Sequence, residues 1–219
     1  MRDQIARRAA RLIRERWVVN LGIGIPVLIS KYLDPDAVFL QTENGLLGVG
    51  PPPGPGELDP NLIDASKLPV TVRQGASFFD SAASFGMLRG GHVDASVLGA
   101  LQVDERGTVA NWAAPGEPVL GVGGAMDILV GVRTVIVAMS HVQRDGAPKL
   151  VTRCTLPVTA ERPADWIVTE LATFRREGGG LVLKEIAPGV TLDEVRARTQ
   201  ARFGVALSGN QKELVCRAG

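Results

Sequence analysis

The sequence predicts an open α/β sheet with helices on both faces. Two observations support this: apolar strand-like runs alternate with helical segments along the chain, and 45% of the 219 residues are hydrophobic, enough for a sizeable core. No repeat, low-complexity tract or shift in composition marks a domain boundary. We therefore expect one domain over residues 1–219, with an N-terminal helix (1–17) and a tail (204–219) at its periphery.

The first seventeen residues form an arginine-rich segment with apolar side chains at helical spacing, namely Ile5, Ala9, Leu12, Ile13 and Trp17. A basic amphipathic N-terminus can be a transit peptide or a membrane-surface helix. This one contains Asp3 and Glu15, lacks serine, and continues without a break into Val18 and Val19. We interpret it as a helix packed on the domain.

A strand beginning at Val18 then ends in the alternating glycines Gly22 and Gly24, and Pro26 suits the first turn of a helix that continues to Leu33. This geometry exposes backbone N–H groups to an anionic ligand. It fails as a dinucleotide fingerprint because the third glycine and the acidic ribose ligand are missing. The segment can still serve as a general site at which a ligand approaches the backbone closely.

The next strand, Ala37 to Leu40, is followed by a polar cluster and by Asn44-Gly45. This places Glu43 at the lip of the sheet, with no other charge close to it in sequence. Asn-Gly between apolar runs favours a type I′ hairpin, in which Glu43 would be a solvated strand-end residue. A functional carboxylate is the alternative, and the local pattern leaves both open.

The middle of the chain reads as a loop and further helices and strands. Gly50 to Pro60 is rich in proline and predicts an ordered flap. Gly75 to Phe85 leads into a helix that Asp80 or Ser81 would cap and Gly90-Gly91 would stop. The expected strands are Ala95–Val103, Val109–Trp112 and Thr134–Met139, with turns at 104–107 and 145–146.

The later part contains a second glycine cluster, Gly121 to Asp127, which permits close backbone approach or forms a tight turn before a buried helix. Two apolar segments, Ile167–Phe174 and Leu181–Ile186, are joined by three glycines as a hairpin or a crossover. Thr191 and Glu194 form a capping box for a last helix, which we expect to reach roughly Phe203.

Composition excludes several functions. The net charge of +1 gives no general attraction to nucleic acid or membrane, and no run is long and apolar enough to span a bilayer. Cys154 and Cys216 lie too far apart for a metal cluster, and Cys154 reads as a buried small hydrophobe. Neither His92 nor His141 has a serine or cysteine partner at a recognisable spacing. We expect a reduced, cytoplasmic enzyme without a metal.

What remains is a lone carboxylate at a strand end and two glycine-lined turns. This combination suits covalent catalysis by a carboxylate, with backbone amides holding an oxyanion.

The run from Gln41 to Pro51 resembles the Ser-Glu-Asn-Gly signature of family I CoA-transferases, and more narrowly the beta subunit of two-subunit 3-oxoacid (acetoacetate) enzymes. Further stretches are similar to that family in sequence order: 20–26, 75–81, 89–92, 123–127 and 154–157. The likeness runs from about Val18 to about Phe203. One such motif is weak, but six in order are specific. The fold would be that of the CoA-transferase (sugar-isomerase-like) superfamily.

The resemblance implies a mechanism and a set of site residues. Glu43 would attack an acyl-CoA thioester and pass through a glutamyl-CoA thioester. Asn20 and the backbone around Gly22 would line the site, and the backbone at Gly123 and Gly124 would bind the oxyanion. Coenzyme A would be a co-substrate, with no further cofactor.

The resemblance also implies an alpha subunit as partner, in a heterodimer or α2β2 assembly, because the chain matches one half of such an enzyme. The expected acceptor is a short acid such as acetoacetate, with acetyl-, butyryl- or succinyl-CoA as donor; 3-oxoadipate or another specialised acid is the alternative. The chain departs from the family pattern at Thr42, Asp64, Ser66, Glu117, Ser140 and Trp166.

Two rival classes stay open. A sugar-phosphate isomerase of the same superfamily would bring a lysine or histidine beside its carboxylate base, yet the nearest lysines, Lys31 and Lys67, lie in no motif. A non-catalytic protein of this fold that only binds an acyl-CoA would not need the nucleophile that this chain keeps.

Overall fold

A ten-stranded mixed sheet organises the computed structural model, which describes residues 1–114, 116 and 121–207. The strands are β1 (Val18–Leu21), β2 (Phe39–Thr42), β3 (Leu46–Val49), β4 (Val72–Phe78), β5 (Ala95–Leu98), β6 (Gln102–Asp104), β7 (Val109–Ala110), β8 (Thr134–Ala138), β9 (Leu150–Val151), β10 (Trp166–Val168), β11 (Ala172–Glu177), β12 (Gly180–Ile186) and β13 (Phe203–Val205). Their order in the sheet is β13-β12-β11-β10-β8-β5-β1-β2-β3-β4, while β7, β6 and β9 form a small second sheet.

The centre of the large sheet is parallel. β10, β8, β5, β1 and β2 run in the same direction, whereas β3 and β4 at one side, and β11 at the other, are antiparallel to their neighbours. The chain adds β2 on one side of β1 and β5 on the other side. In open α/β sheets, ligands bind outside the carboxyl ends of the strands at such a switch point.

Helices cover both faces of the sheet, as the sequence predicted. They are α1 (Arg2–Ala10), a 3₁₀ helix (Pro26–Tyr32), α2 (Ser81–Arg89), α3 (Ala125–Gly131) and α4 (Leu192–Ala197). α1 and the 3₁₀ helix pack on one face, against Val97, Ile136 and Val168. α2 and α3 pack on the other, against Val135 and Val137.

α1 belongs to the core rather than to the periphery of the domain. Ile5, Ala6 and Ala9 are completely buried and contact the 3₁₀ helix and the sheet. The helix ends at Ala10 instead of continuing to residue 17, and Leu12 and Ile13 pack beside it as part of the following turn.

Helix ends follow the predicted signals. The Asp80 carboxylate accepts a hydrogen bond from the Ala83 amide and caps α2, which Gly90 terminates. The Thr191 hydroxyl accepts from the Glu194 amide and caps α4. α4 ends at Ala197, however, and Phe203 lies in β13; the Thr199 hydroxyl bonds the Val195 carbonyl just past the helix end.

Two apolar segments that we expected to be continuous are divided in the structure, and one strand was not predicted. The segment Ala95–Val103 is divided between the two sheets, because the chain turns at 99–101. The segment Ile167–Phe174 is two antiparallel strands, since the Thr169 hydroxyl accepts the amides of Leu171 and Ala172 and turns the chain. β4 was not predicted at all: it is an edge strand, largely exposed, and lacks the alternation of a half-buried strand.

Candidate active site

Glu43 lies in a tight hairpin between two strands of the large sheet. Thr42 of β2 pairs with Leu46 of β3, so three residues, Glu43 to Gly45, form the loop rather than the two of a type I′ turn. Gly45 has φ +119°, and a Cβ there would lie 2.0 Å from the Phe79 carbonyl oxygen. Only glycine fits this position, so the Asn-Gly signal marks a real hairpin.

Glu43 is half-buried and has a defined partner, so it is not a freely solvated strand end. The Asn20 side-chain amide donates a 2.9 Å hydrogen bond to Glu43 Oε2. Asn20 lies in β1, next to β2, near the carboxyl ends of both strands. The structure therefore brings together two of the predicted site residues, which are 23 positions apart in the sequence.

Asn20 is the centre of a buried polar cluster. Its amide also donates to Gln41 Oε1 at 2.9 Å, and Ser96 Oγ donates to Asn20 Oδ1 at 3.1 Å. Gln41 Nε2 in turn donates to Ser84 Oγ on α2, at 2.9 Å. All four side chains are at most 2% exposed, so the cluster lies beneath α2, out of contact with solvent.

Sequence reasoning missed Gln41, Ser84 and Ser96. Gln41 and Ser96 stand in largely apolar strands, and a polar residue in a buried strand is the signal that could have drawn attention to them.

The predicted glycines have different surroundings. The Gly22 amide donates to the Val97 carbonyl at 2.8 Å, so the sheet already uses this N–H group. Gly123 (φ +55°) and Gly124 lead into α3. A Cβ on Gly124 would lie 2.8 Å from the Phe85 ring, so the ring packs closely against the backbone at this position. Because Phe85 follows Ser84 in α2, one helix contacts both the polar cluster and the Gly123-Gly124 turn.

The loop over 50–70, called the flap below, is attached to the hairpin that carries Glu43. Thr42 Oγ1 accepts a hydrogen bond from the Ala65 amide at 2.8 Å, and Asn44 Nδ2 donates to the Ile63 carbonyl at 2.9 Å. Asp64 Oδ1 accepts from the Ser66 amide and so shapes the flap. A mainly apolar cavity of about 90 Å³ lies between flap, 3₁₀ helix and β2.

The remaining departures from the family pattern lie away from Glu43 or outside the described residues. Ser140 follows β8, and its hydroxyl bonds the Val142 carbonyl. Trp166 begins β10 and stacks under Arg175, with β8 and β5 between it and β1. Glu117 lies outside the described residues.

His141 and Cys154 are poorly suited to catalysis. His141 is fully buried between the hydroxyls of Thr169 and Thr199, and burial lowers its pKa to about 4. Burial also raises the pKa of the Cys154 thiol to about 11, which disfavours the thiolate. His92 is exposed, and Cys216 lies outside the described residues.

Within the described ranges, no group of three or more His, Cys, Asp or Glu side chains is placed to hold a metal ion. None of the helices in the described part of the chain has the length and apolar character that a membrane span needs.

Comparison with known proteins gives consistent matches over nearly the whole chain. The family model described as Coenzyme A transferase matches residues 2–198. The chain is 49% identical over 211 residues to the beta subunit of the acetate CoA-transferase of Escherichia coli K12, covering 95% of this chain and 96% of that protein. It is 43% identical to one subunit of the succinyl-CoA:3-ketoacid coenzyme A transferase of Helicobacter pylori, covering 94% and 100%.

A longer relative matches only in part. The chain is 46% identical to the mitochondrial succinyl-CoA:3-ketoacid coenzyme A transferase 2A of Rattus norvegicus, covering 93% of this chain and 40% of that protein.

Solved structures share the fold at low sequence identity. An acyl-CoA transferase of Escherichia coli O157:H7 superposes with a TM-score of 0.76 at 24% identity, covering 95% of this chain and 43% of that one. A variant of the decarboxylase AibA/AibB superposes with a TM-score of 0.72 at 23% identity, covering 94% and 87%. Because a transferase and a decarboxylase both have this architecture, the fold alone does not decide the chemistry.

Proposed function

The chain is a beta subunit of the coenzyme A transferase family, and on that basis we propose that Glu43 carries coenzyme A as a covalent glutamyl thioester. The observation that supports this most directly is the hydrogen bond from the buried Asn20 amide to Glu43 Oε2. It holds a half-buried carboxylate at the carboxyl edge of the sheet, where ligands of open α/β folds bind.

The proposed reaction starts from the ionised carboxylate. A glutamate is charged at neutral pH and needs no base to act as a nucleophile. Because Oε2 is engaged by Asn20, we assign the attack to Oε1. The new C–O bond forms at the thioester carbonyl carbon, the C–S bond breaks, and an acyl-glutamyl anhydride and a CoA thiolate result.

The thiolate then attacks the glutamyl carbonyl carbon. The anhydride C–O bond breaks, the donor acid leaves as its carboxylate, and the glutamyl-CoA thioester remains. The acceptor carboxylate runs the same two steps in reverse. Charge and atoms balance without an oxidant, a metal or another cofactor, with coenzyme A as co-substrate.

Each step passes through a tetrahedral oxyanion. A carboxylate is a weak nucleophile, so binding energy from the distant part of coenzyme A has to be used at the reacting carbon. We assign the oxyanion contact to the backbone at Gly123 and Gly124, which lead into α3 beside α2. One such donor is typically worth about 10²–10³ in rate. For Gly22 we keep the assignment as a residue that lines the site, although its amide is bonded to the Val97 carbonyl and so does not serve as an oxyanion donor.

We infer that the working enzyme contains an alpha subunit, in a heterodimer or α2β2 assembly. The bacterial relatives that this chain matches over nearly their full length are named as single subunits, among them the beta subunit of the Escherichia coli acetate enzyme. In the rat mitochondrial relative the matching region is only 40% of the length. The chain purified alone should therefore show little transfer until its partner is added. A cytoplasmic location stays a prediction.

For the acceptor we propose a short-chain acid, with acetoacetate preferred and acetyl- or succinyl-CoA as donor. The names of the relatives point to acetate and to 3-ketoacids. A panel containing acetate, acetoacetate, 3-oxoadipate, an aromatic acid and a long-chain acid decides this. Transfer only to aromatic or long-chain acids would exclude the short-chain assignment, and a clear preference for 3-oxoadipate would support the specialised alternative.

The decisive experiment is the intact mass of this chain, purified with its alpha subunit and incubated with acyl-CoA. We expect a CoA adduct that maps to the peptide containing Glu43. Glu43→Ala should form none, whereas Glu161→Ala, which removes an exposed glutamate in a bend, should form it normally. A protein that only binds acyl-CoA, or a sugar-phosphate isomerase, would give no adduct in any variant.

A further inference from the structure

Three polar side chains occupy one row across the centre of the sheet. Gln41 of β2 pairs in register with Asn20 of β1, and Asn20 pairs with Ser96 of β5. Residues that are in register on adjacent strands point to the same face, and here that face is covered by α2. The apolar core of this face includes Leu98 and Val137, so three polar groups side by side are exceptional.

The hydrogen bonds of this row and the Glu43 carboxylate together decide which way the Asn20 amide points. The Ser96 hydroxyl donates to Asn20 Oδ1, but a hydroxyl can also accept; the carboxylate of Glu43 can only accept, so it is the group that selects this orientation. The two protons on Nδ2 are then directed to Gln41 Oε1 and to Glu43 Oε2, each 2.9 Å away. A flipped amide would instead present Oδ1 to the Glu43 carboxylate, and two acceptors would repel each other.

The Gln41 side chain is held in a similar way, by a serine hydroxyl on α2. Its Nε2 donates to Ser84 Oγ, 2.9 Å away on α2, which leaves Oε1 facing Asn20. The chain of bonds from Ser84 through Gln41 to Asn20, together with Ser96 on the other side, satisfies both amides in this orientation and holds Asn20 Nδ2 in place beside Glu43. None of these three residues, Gln41, Ser84 and Ser96, bonds Glu43 itself in the described structure.

We propose that Ser96, Gln41 and Ser84 are positioning residues for the transfer reaction: their hydrogen bonds hold the Asn20 side chain in the place from which its amide donates to Glu43. This inference rests on the proposed function of Glu43 and deepens it. A purely structural role explains the cluster less well, because well-packed apolar residues would stabilise this interface without the cost of burying four polar side chains.

The test measures the single-turnover rate of CoA-adduct formation in the complex of the chain with its alpha subunit. Ser96→Ala removes the buried hydroxyl that bonds Asn20 Oδ1, so the Asn20 side chain is held less firmly. We expect it to slow adduct formation about tenfold to a hundredfold, with the KM for acyl-CoA nearly unchanged. Ser84→Ala should act in the same direction but more weakly, since it acts through one more residue, and Ser96→Thr, which keeps the hydroxyl, should recover most of the rate.

Thr173→Val is the matched control. It removes another buried hydroxyl of the same sheet, one for which the described structure shows no hydrogen-bond partner, in β11 and several strands from β1. It should leave the rate and the KM unchanged. If it slowed adduct formation as much as Ser96→Ala, loss of a buried hydroxyl in general would be the cause, and the proposal would fail.

A double-mutant cycle separates positioning from packing. If Ser96 acts through Asn20, Ser96→Ala should have almost no further effect on the rate in an Asn20→Ala background. An equal slowing in both backgrounds, or no slowing in the parent protein, overturns the inference. Failure of the proposed function looks different: an adduct that persists in Glu43→Ala removes Glu43 from the chemistry, whatever the serine variants do.

Discussion

The hydroxyl of Thr42 accepts a hydrogen bond from the backbone amide of Ala65, 2.8 Å away, which ties the residue before the proposed nucleophile to the flap over 50–70. The same hydroxyl donates to Asn44 Oδ1, inside the hairpin loop, at 2.7 Å. Both bonds need a hydroxyl but not the methyl group of threonine, so the hydroxyl is the feature that the hairpin requires.

Thr42→Val should therefore loosen the loop that carries Glu43, whereas Thr42→Ser should not. We expect the valine variant to lose about 1–3 kcal/mol of unfolding free energy, because the part-buried Ala65 amide loses its hydrogen-bond acceptor. Its activity should fall about tenfold. Calorimetry, kcat and hydrogen exchange of the Ala65 amide check this. Serine and valine variants that behave alike would show that the bond is unimportant.

Glu43→Asp tests how strictly the nucleophile must be placed. The change keeps the charge but withdraws the carboxylate by one methylene, and a displacement of about 1 Å can cost on the order of 10²-fold in rate. The isosteric Glu43→Gln should abolish adduct formation, and both variants should keep their unfolding free energy within about 1 kcal/mol, since the side chain is only half-buried. Near-normal transfer in Glu43→Gln would rule out covalent catalysis by this residue.

Gly45→Ala should be strongly destabilising. Gly45 has φ +119°, and the new Cβ would lie 2.0 Å from the Phe79 carbonyl oxygen, so backbone strain and a clash with rigid backbone add up. We expect a loss of at least about 2 kcal/mol, measured by chemical denaturation. Gly56→Ala is the control: it has φ +85° with nothing within 4 Å, so it should show the strain alone and lose less. Equal losses would mean that the Phe79 contact has no effect.

His141 makes the folded state sensitive to acid. Its pKa falls from 6.5 to about 4 because burial disfavours the charged ring and Arg198 adds repulsion; Glu170, which accepts from the His141 amide, faces the same region. The unfolded chain therefore binds the proton first as pH falls. The stability that the neutral ring contributes is complete above pH 6.5 and is lost as pH falls through about 4.

The expected loss over that window is on the order of 3 kcal/mol of unfolding free energy. Chemical denaturation at several pH values would measure it. His141→Gln should flatten this part of the profile, whereas His92→Gln should keep it, because His92 is exposed. A parent protein equally stable at pH 7 and pH 4 would contradict the assignment.

Local signals in the sequence predicted much of the fold, and they were reliable where a short-range rule decides the structure. The caps at Asp80 and Thr191 follow from side chains that bond amides three residues on. β4 was missed because an exposed edge strand has no buried face, and hence no alternation to detect. The strand over 95–103 was overextended because a change of sheet is a tertiary event.

The sequence likewise predicted some residues of the candidate site and not others. Glu43 and Asn20 could be found from motifs, but their contact depends on the pairing of β1 with β2, which no local pattern specifies. Gln41, Ser84 and Ser96 were not recognised, because one polar residue in a short strand, or a serine in a helix, is ordinary in sequence. Only the register of three strands and the packing of α2 on them show that these residues meet.

The row formed by Gln41, Asn20 and Ser96 also bears on how the chain folds. Because side chains alternate between the two faces of a strand, a slip of β2 by one residue would turn Gln41 away and place Leu40 or Thr42 beneath α2. Asn20 would then lose Gln41 Oε1 as the acceptor for its buried amide, and an unsatisfied buried group costs about 1–3 kcal/mol. Misaligned pairing of β2 with β1 is thus penalised at the residues that hold the nucleophile, so a molecule that completes its sheet in the correct register has assembled its reaction centre in the same step.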